Sequence, residues 1–219
     1  MIYYFDAIDQ FTQEMCDHFI HRLPIERQQR VRRYKRHIDQ KLSILSYVIL
    51  LHGLRLEHGI HQQVQLGYKD HQKPYLLDYP AVHFNISHCE CCVAVAISSS
   101  EVGIDVQNNM EYDHKLASYV CSELELEQLA LSNNPDRLFI QYWTLKESYL
   151  KMIGTGLTEQ LKRLDFSEAL APSFKLYNCH FQMMQEQQYI ISTCSPDHHV
   201  PIQSLRLIDL SFVAAASST

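Results

Sequence analysis

Glycine and proline are scarce in this chain, six and seven of 219 residues, which excludes a collagen-like tract or a long disordered one. No glycine-rich loop for cradling phosphate and no dinucleotide fingerprint is present. Long apolar runs are missing too. The longest, Ile44 to Leu51, is eight residues interrupted by Ser46, against the ~20 that a membrane helix requires. Met1 to Gln10 lack a basic flank followed by an apolar stretch, so no secretory signal and no membrane attachment are expected, and the cytoplasm is the default location. Seven cysteines, an odd number, fit reduced thiols better than a disulfide framework. Cys89, Cys91 and Cys92 lie near His83 and His88, but strand alternation sends Cys91 and Cys92 to opposite faces. They are read as small apolar residues rather than as a zinc site.

What remains is an ordinary folding composition, 46% hydrophobic and 20% charged, long enough for one large domain or two small ones. Its charges are segregated. Arg22 to Lys41 holds eight basic residues against Glu26 and Asp39, whereas Glu101 to Glu127 holds seven acidic residues against Lys115. The first segment suits phosphate and the second suits a metal ion. Two solvated helix faces of opposite sign would give the same pattern. Binding of RNA through Arg22 to Lys41 is disfavoured by the overall charge of −6 and by the lack of interleaved aromatics beyond Tyr34.

Apolar residues at three- and four-residue steps, Val31, Tyr34, Ile38, Leu42, Leu45 and Ile49, predict helix over 25–51. On it Arg27, Arg30 and Lys41 converge beside the apolar stripe, unless a break near 37–39 moves Lys41. Gly67 to Pro80 is turn-rich. Strands are expected at 82–86, 93–97 and 102–106, with a boundary between halves at Ser98-Ser99-Ser100. In the third strand Asp105 and Gln107 share a face. Helices follow at 114–131 and 136–153, then strand-like patches, and a frayed tail from Ala214 to Thr219. No sequence repeat is found. On the helix Leu138 to Ile153, one direction carries a core stripe of Leu138, Tyr142, Leu145, Tyr149 and Met152. A second carries Trp143, Lys146, Glu147, Leu150 and Lys151, a mixture that predicts a covered face.

Three motifs stand in order: Phe84-Asn85-Ile86-Ser87-His88, Gly103-Ile104-Asp105-Val106-Gln107, and Trp143-Thr144-Leu145-Lys146-Glu147-Ser148-Tyr149-Leu150-Lys151. Each alone is weak. As an ordered set, with Lys73-Pro74 before the first and Gly154 to Leu157 after the last, they resemble the 4′-phosphopantetheinyl transferases, specifically the large single-chain kind related to the surfactin synthetase activator. The resemblance spans most of residues 25–157.

That resemblance implies an α/β (α+β) fold of two similar halves related by pseudo-twofold symmetry, 1–100 and 101–219, with the active site in the cleft between them. It implies transfer of the phosphopantetheine arm of coenzyme A to a serine of an apo acyl or peptidyl carrier protein, with release of adenosine 3′,5′-bisphosphate and a requirement for Mg²⁺. By the same carry-over, Arg27, Arg30 and Lys41 hold the 3′-phosphate, a task suited to the arginine fork. Lys73 and Pro74 line the adenine, Ser87 and His88 hydrogen-bond phosphate oxygens, Lys151 contacts the pyrophosphate, and Lys146 is a further coenzyme A-binding residue. Asp105 and Glu147 are Mg²⁺ ligands. Gln107 stands where many members place a second acidic ligand, which predicts weaker metal affinity. The base that takes the serine proton is Glu147 or Glu125. A monomer is expected, while fatty-acid, polyketide, peptide-synthetase and lysine-pathway carriers all remain open. A homologue that binds coenzyme A without transferring anything is disfavoured by the presence of Asp105, Lys146, Glu147 and Lys151.

Overall fold

The computed structural model describes residues 1–156, 159–169, 171–196 and 200–210. The expected frayed tail and Leu157 of the last motif lie outside these residues. The chain opens with β1 (Ile2–Phe5), α1 (Gln13–Ile20), α2 (Ile25–Arg33) and the long α3 (His37–His58). A short ribbon of β2 (Leu66–Tyr68) and β3 (Pro74–Leu76) follows, then a hairpin of β4 (His83–Cys89) and β5 (Cys92–Ser98). Next come β6 (Gly103–Asn108), α4 (His114–Val120), α5 (Glu123–Leu131), α6 (Pro135–Ile153), β7 (Ser173–Leu176), β8 (Cys179–Gln185) and β9 (Tyr189–Ser195). The described chain ends with β10 (Ile202–Ser204) and α7 (Leu207–Leu210).

One topological unit occurs twice. In the first, a strand (β1), a long helix (α3) and a hairpin (β4–β5) close by pairing β1 antiparallel with β5. In the second, β6, α6 and the hairpin β8–β9 close in the same order, with β6 antiparallel to β9. The α/β architecture of two similar halves is therefore present in the chain tracing. The C-terminal strand β10 does not stay with the second sheet. It returns to pair parallel with β1, so that sheet runs β10-β1-β5-β4.

Local chemistry sets the helix limits. The helix expected over 25–51 is two helices, because Tyr34 and Arg36 are extended (ψ 132° and 134°), and the second then continues to His58. The predicted helix 114–131 is likewise broken, at Cys121-Ser122, where Ser122 and Glu125 form a reciprocal capping box that starts α5. Helix α6 begins with Pro135 behind the Asn134 cap and stops at Gly154, whose φ of 79° suits a residue without a Cβ. The second face is covered as expected, with Lys146 and Leu150 buried and Trp143, Glu147 and Lys151 half-buried, and burial also reaches Phe139, Ile140, Thr144 and Ser148 beside the stripe residues Tyr142, Leu145 and Met152.

Three larger apolar cores follow from this arrangement, with a small fourth of Ile140, Met183 and Ile190. One lies between α3 and the first sheet, around Leu45, Ile49, Val93 and Val95; another lies around α6, with Leu145, Phe166 and Phe181. The third joins the halves, with Ala94 and Ala96 of β5 facing Val102, Ile104 and Val106. The small alanines let the second sheet's edge approach closely. All seven cysteines are free thiols, as the odd count predicts. Cys89 and Cys92 pair across the β4–β5 hairpin end and are buried.

Candidate active site

Strand β4 is the hinge of the site because its alternate residues serve different neighbours. Ile86 and His88 look toward α2 and α3, where they line a cavity of about 150 Å³ together with Arg27, Arg30, Ser43 and Pro74. Asn85 and Ser87 turn the other way, to β6. The Asn85 Oδ1 accepts from the Ile104 N–H at 3.0 Å, and the Ser87 Oγ accepts from the Val106 N–H at 3.2 Å.

Between those two anchored amides sits Asp105, buried. Its Oδ1 accepts from the Ser87 hydroxyl at 2.8 Å and from the Lys151 ammonium at 2.6 Å, while Oδ2 is buried without a partner. Lys151 also donates to the Ser87 Oγ at 3.0 Å, so one of its three N–H groups is left for another acceptor. One turn before Lys151 on α6, the Glu147 Oε1 is likewise buried and unpartnered. Burial first, and then the Asp105 charge, push the Glu147 carboxyl up to about 7, against the pull of Lys151. Two inward carboxylate oxygens without donors, each raising the other's energy, form a donor set suited to a small hard cation. Among the described residues no three His, Cys, Asp or Glu side chains are grouped to enclose a metal.

The opposite end of the site is cationic. Arg27 donates to the Ser43 carbonyl at 3.1 Å, stacks over Tyr47 at 5.4 Å and keeps a buried Nε without a partner. Arg30 donates to the Tyr68 hydroxyl at 3.1 Å. A larger groove of about 560 Å³ lined by Arg27, Arg30 and Arg33 adjoins this cavity. The His88 ring lies between the two ends. Partial enclosure first, then the positive charge of Lys151, with Arg30 adding to it, lower its pKa despite Asp39.

Five of the expected site residues have their side chains engaged within the protein in this geometry. Lys41 does not join Arg27 and Arg30; the break at 34–36 turns its ammonium to the Ile8 carbonyl at 3.2 Å. Lys73 is not among the residues lining the cavity; its ammonium donates to Glu101 at 2.5 Å and to the Met152 carbonyl at 2.6 Å. Ser87 donates once and accepts twice, which exhausts a hydroxyl, so it has nothing left for phosphate. Lys146 is fully buried, paired with Glu125 at 2.5 Å and bonded to the Val120 and Leu161 carbonyls, away from any nucleotide. Glu125, also fully buried, accepts from the Ser122 and Phe166 N–H groups and offers no route for a substrate proton. Pro74, His88, Arg27 and Arg30 do share one cavity. Gln107 follows Asp105 on β6, its amide nitrogen 3.4 Å from the Asn108 Oδ1. The sequence reading missed Ser43 and Tyr68, which carry no motif, and gave Asn85 no task although it stands inside one.

Comparison with known proteins agrees with the tracing. A family model described as 4′-phosphopantetheinyl transferase, N-terminal, matches residues 10–100, and one described as the 4′-phosphopantetheinyl transferase superfamily matches residues 101–201. The 4′-phosphopantetheinyl transferase Sfp of Bacillus subtilis is 25% identical over 150 residues, 67% of each chain. The L-aminoadipate-semialdehyde dehydrogenase-phosphopantetheinyl transferase of Candida glabrata is 29% identical over 193 residues, 80% of this chain and 74% of its own. The 4′-phosphopantetheinyl transferase gsp of Aneurinibacillus migulanus is 35% identical over 119 residues, 53% of this chain and 47% of its own. The chain belongs to the 4′-phosphopantetheinyl transferase superfamily, related to Sfp.

Proposed function

We propose that the protein transfers the phosphopantetheine arm of coenzyme A to a serine hydroxyl of an apo acyl or peptidyl carrier protein, releasing adenosine 3′,5′-bisphosphate, in the cleft bounded by β4, β6 and α6. Family membership supports the transferase reaction. The observation that carries the site assignment is the pair of inward, donorless carboxylate oxygens on Asp105 and Glu147 beside the Lys151 ammonium.

Arg27, with its unpartnered buried Nε, and Arg30 bind the 3′-phosphate, with Ser43 beside them in place of Lys41. Pro74 packs against the adenine. His88, neutral near pH 7 because its pKa is lowered, donates a ring N–H to phosphate. Lys151 uses its remaining N–H on the pyrophosphate and neutralises charge on the leaving group. Asp105 and Glu147 would hold Mg²⁺, with Gln107 contributing its amide oxygen. When bound, the metal withdraws charge from the pyrophosphate as the serine attacks in line. Of the two candidate bases, Glu147 is the one with access, its second carboxylate oxygen being the one that a metal on Oε1 would leave for the serine proton.

The test is incubation with coenzyme A, Mg²⁺ and a panel of apo carriers, read by intact mass. One carrier gains one phosphopantetheine, and Glu147→Ala loses the shift while keeping the thermal transition. No mass gain with any carrier despite coenzyme A binding would identify a homologue that binds without transferring. Gln107→Glu restores an acidic ligand and lowers the Mg²⁺ concentration needed for half-maximal rate. An unchanged requirement would remove Gln107 from the metal's neighbourhood.

A further inference from the structure

Strand β6 has β9 on one side only. Along its other edge no strand pairs with it among the described residues, yet Ile104 and Val106 are buried there, and a buried amide N–H without an acceptor costs about 1–3 kcal/mol. Both are satisfied by side chains of the neighbouring half, Asn85 Oδ1 at 3.0 Å and Ser87 Oγ at 3.2 Å. The spacing is informative, because residues two apart on β4 match N–H groups two apart on β6, and the residue between those N–H groups is Asp105. The two side chains therefore do for β6 what an adjacent strand would do. A real strand would need a continuous backbone ladder, whereas this one leaves room beside Asp105 for the Lys151 ammonium to enter.

From this we infer that Asn85 and Ser87 are positioning residues: by clamping the β6 backbone on either side of Asp105, they aim its Oδ2 into the cleft and leave its Oδ1 to Ser87 and Lys151. Asn85 acts through the Ile104 N–H alone and touches no substrate group. Ser87 acts through the Val106 N–H and the carboxylate, with its hydroxyl fully used. The clamp also makes the acidic ligand on the second half depend on register with the first half. Closure of the interface and readiness for a metal are thereby the same event. This inference rests on the reading of Asp105 as a metal ligand.

The experiment uses Mn²⁺ as the probe, its free-ion signal followed by electron paramagnetic resonance with the full chain and coenzyme A present. Coenzyme A binding is measured separately by calorimetry in chelator. Asn85→Leu, which keeps size and removes the acceptor, weakens Mn²⁺ at least ~10-fold while coenzyme A binding in chelator stays within twofold. Asn85→Asp, which restores an acceptor, recovers the metal affinity. Ser87→Ala, a smaller change than Asn85→Leu at the neighbouring clamp, gives the same split and keeps the test usable if Asn85→Leu does not fold. A purely structural role would lower the folded fraction in both measurements together, and that result overturns the inference. So does a loss confined to coenzyme A binding in Ser87→Ala, which would make Ser87 a phosphate contact. If the unaltered protein binds no Mn²⁺ with coenzyme A, the metal reading itself fails; if it does and the variants match it, only the clamp fails.

Discussion

Glu147 concentrates the conflict in the site, because its carboxyl is held among protein atoms and near Asp105 with one oxygen lacking a donor. A carboxyl raised from 4.5 to about 7 keeps its proton in the folded state over a range where the unfolded chain has lost it. The contribution of Glu147 to the stability of the metal-free protein therefore falls as pH rises from about 4.5 to about 7 and is constant above that. Thermal melts in chelator at pH 5, 6, 7 and 8 read this directly. Glu147→Gln removes the slope in that window and leaves any other; a slope that persists unchanged would assign it to another group. Protons and metal compete for the same oxygens, so the Mg²⁺ needed for half-maximal transfer drops between pH 6 and pH 8. Lys151 and Asp105 resolve their own conflict by pairing, and the third ammonium proton is what the site keeps in reserve.

At the scale of elements, α6 is the part on which the second half is organised, and two contacts explain why. Gly103 lies flat against it: a Cβ there would stand 1.8 Å from the Ser148 carbonyl oxygen and 2.6 Å from the Met152 amide. Gly103→Ala must push β6 off the helix that carries Glu147 and Lys151. The expected result is a loss of 3 kcal/mol or more on the scale of severe overpacking, about 1–3 kcal/mol for methylenes that can be absorbed, together with loss of transfer activity; denaturant melts beside the mass assay check both. The other contact is the buried pair of Lys146 and Glu125, saturated by the Val120 and Leu161 carbonyls and the Ser122 and Phe166 amides. Lys146→Met strands a buried carboxylate and costs about 3–5 kcal/mol. Below the melting transition, the KM for coenzyme A is unchanged, because that ammonium never meets the nucleotide. A raised KM in folded Lys146→Met would restore it to the binding set.

For the whole molecule, the contacts between halves decide whether the cationic end and the carboxylate end face one another. Besides the apolar seam of Ala94, Ala96, Val102 and Ile104, Lys73 of the first half ties Glu101 and the C-terminal turn of α6 through Met152. Lys69 and His83 approach the same carboxylate at 3.4 and 3.5 Å. Glu101 is held below its ordinary 4.5, its own burial being outweighed by Lys73. The stability this contact supplies is complete above that ordinary value and is lost as pH falls through the lowered one. Lys73→Met costs about 1.5–3 kcal/mol, the range for a hydrogen bond to a charged group, and lowers the melting temperature by a few degrees. It also raises the KM for coenzyme A, because the residues proposed to grip the two ends of the nucleotide come from different halves. A shift in melting temperature with KM unchanged would confine Lys73 to stability.

The sequence by itself determined what short-range chemistry can encode. Alternation placed the strands to within three residues, the helix expected at 136–153 matches α6 to within a residue, and the ordered motifs brought Asp105, Glu147, Lys151 and His88 to attention. Tertiary structure alone decided which cations meet. A two-residue change in backbone direction after Arg33 separated Lys41 from Arg27, and the capping box at Ser122 turned Glu125 inward to Lys146. The repeated strand, helix and hairpin unit left no trace in the residues because each copy needs only apolar side chains at its packing positions, and many sequences meet that condition. Asn85 was legible as a letter in a motif but not as an act, since its partner is a backbone N–H nineteen residues away that only the docking of two sheets brings within reach.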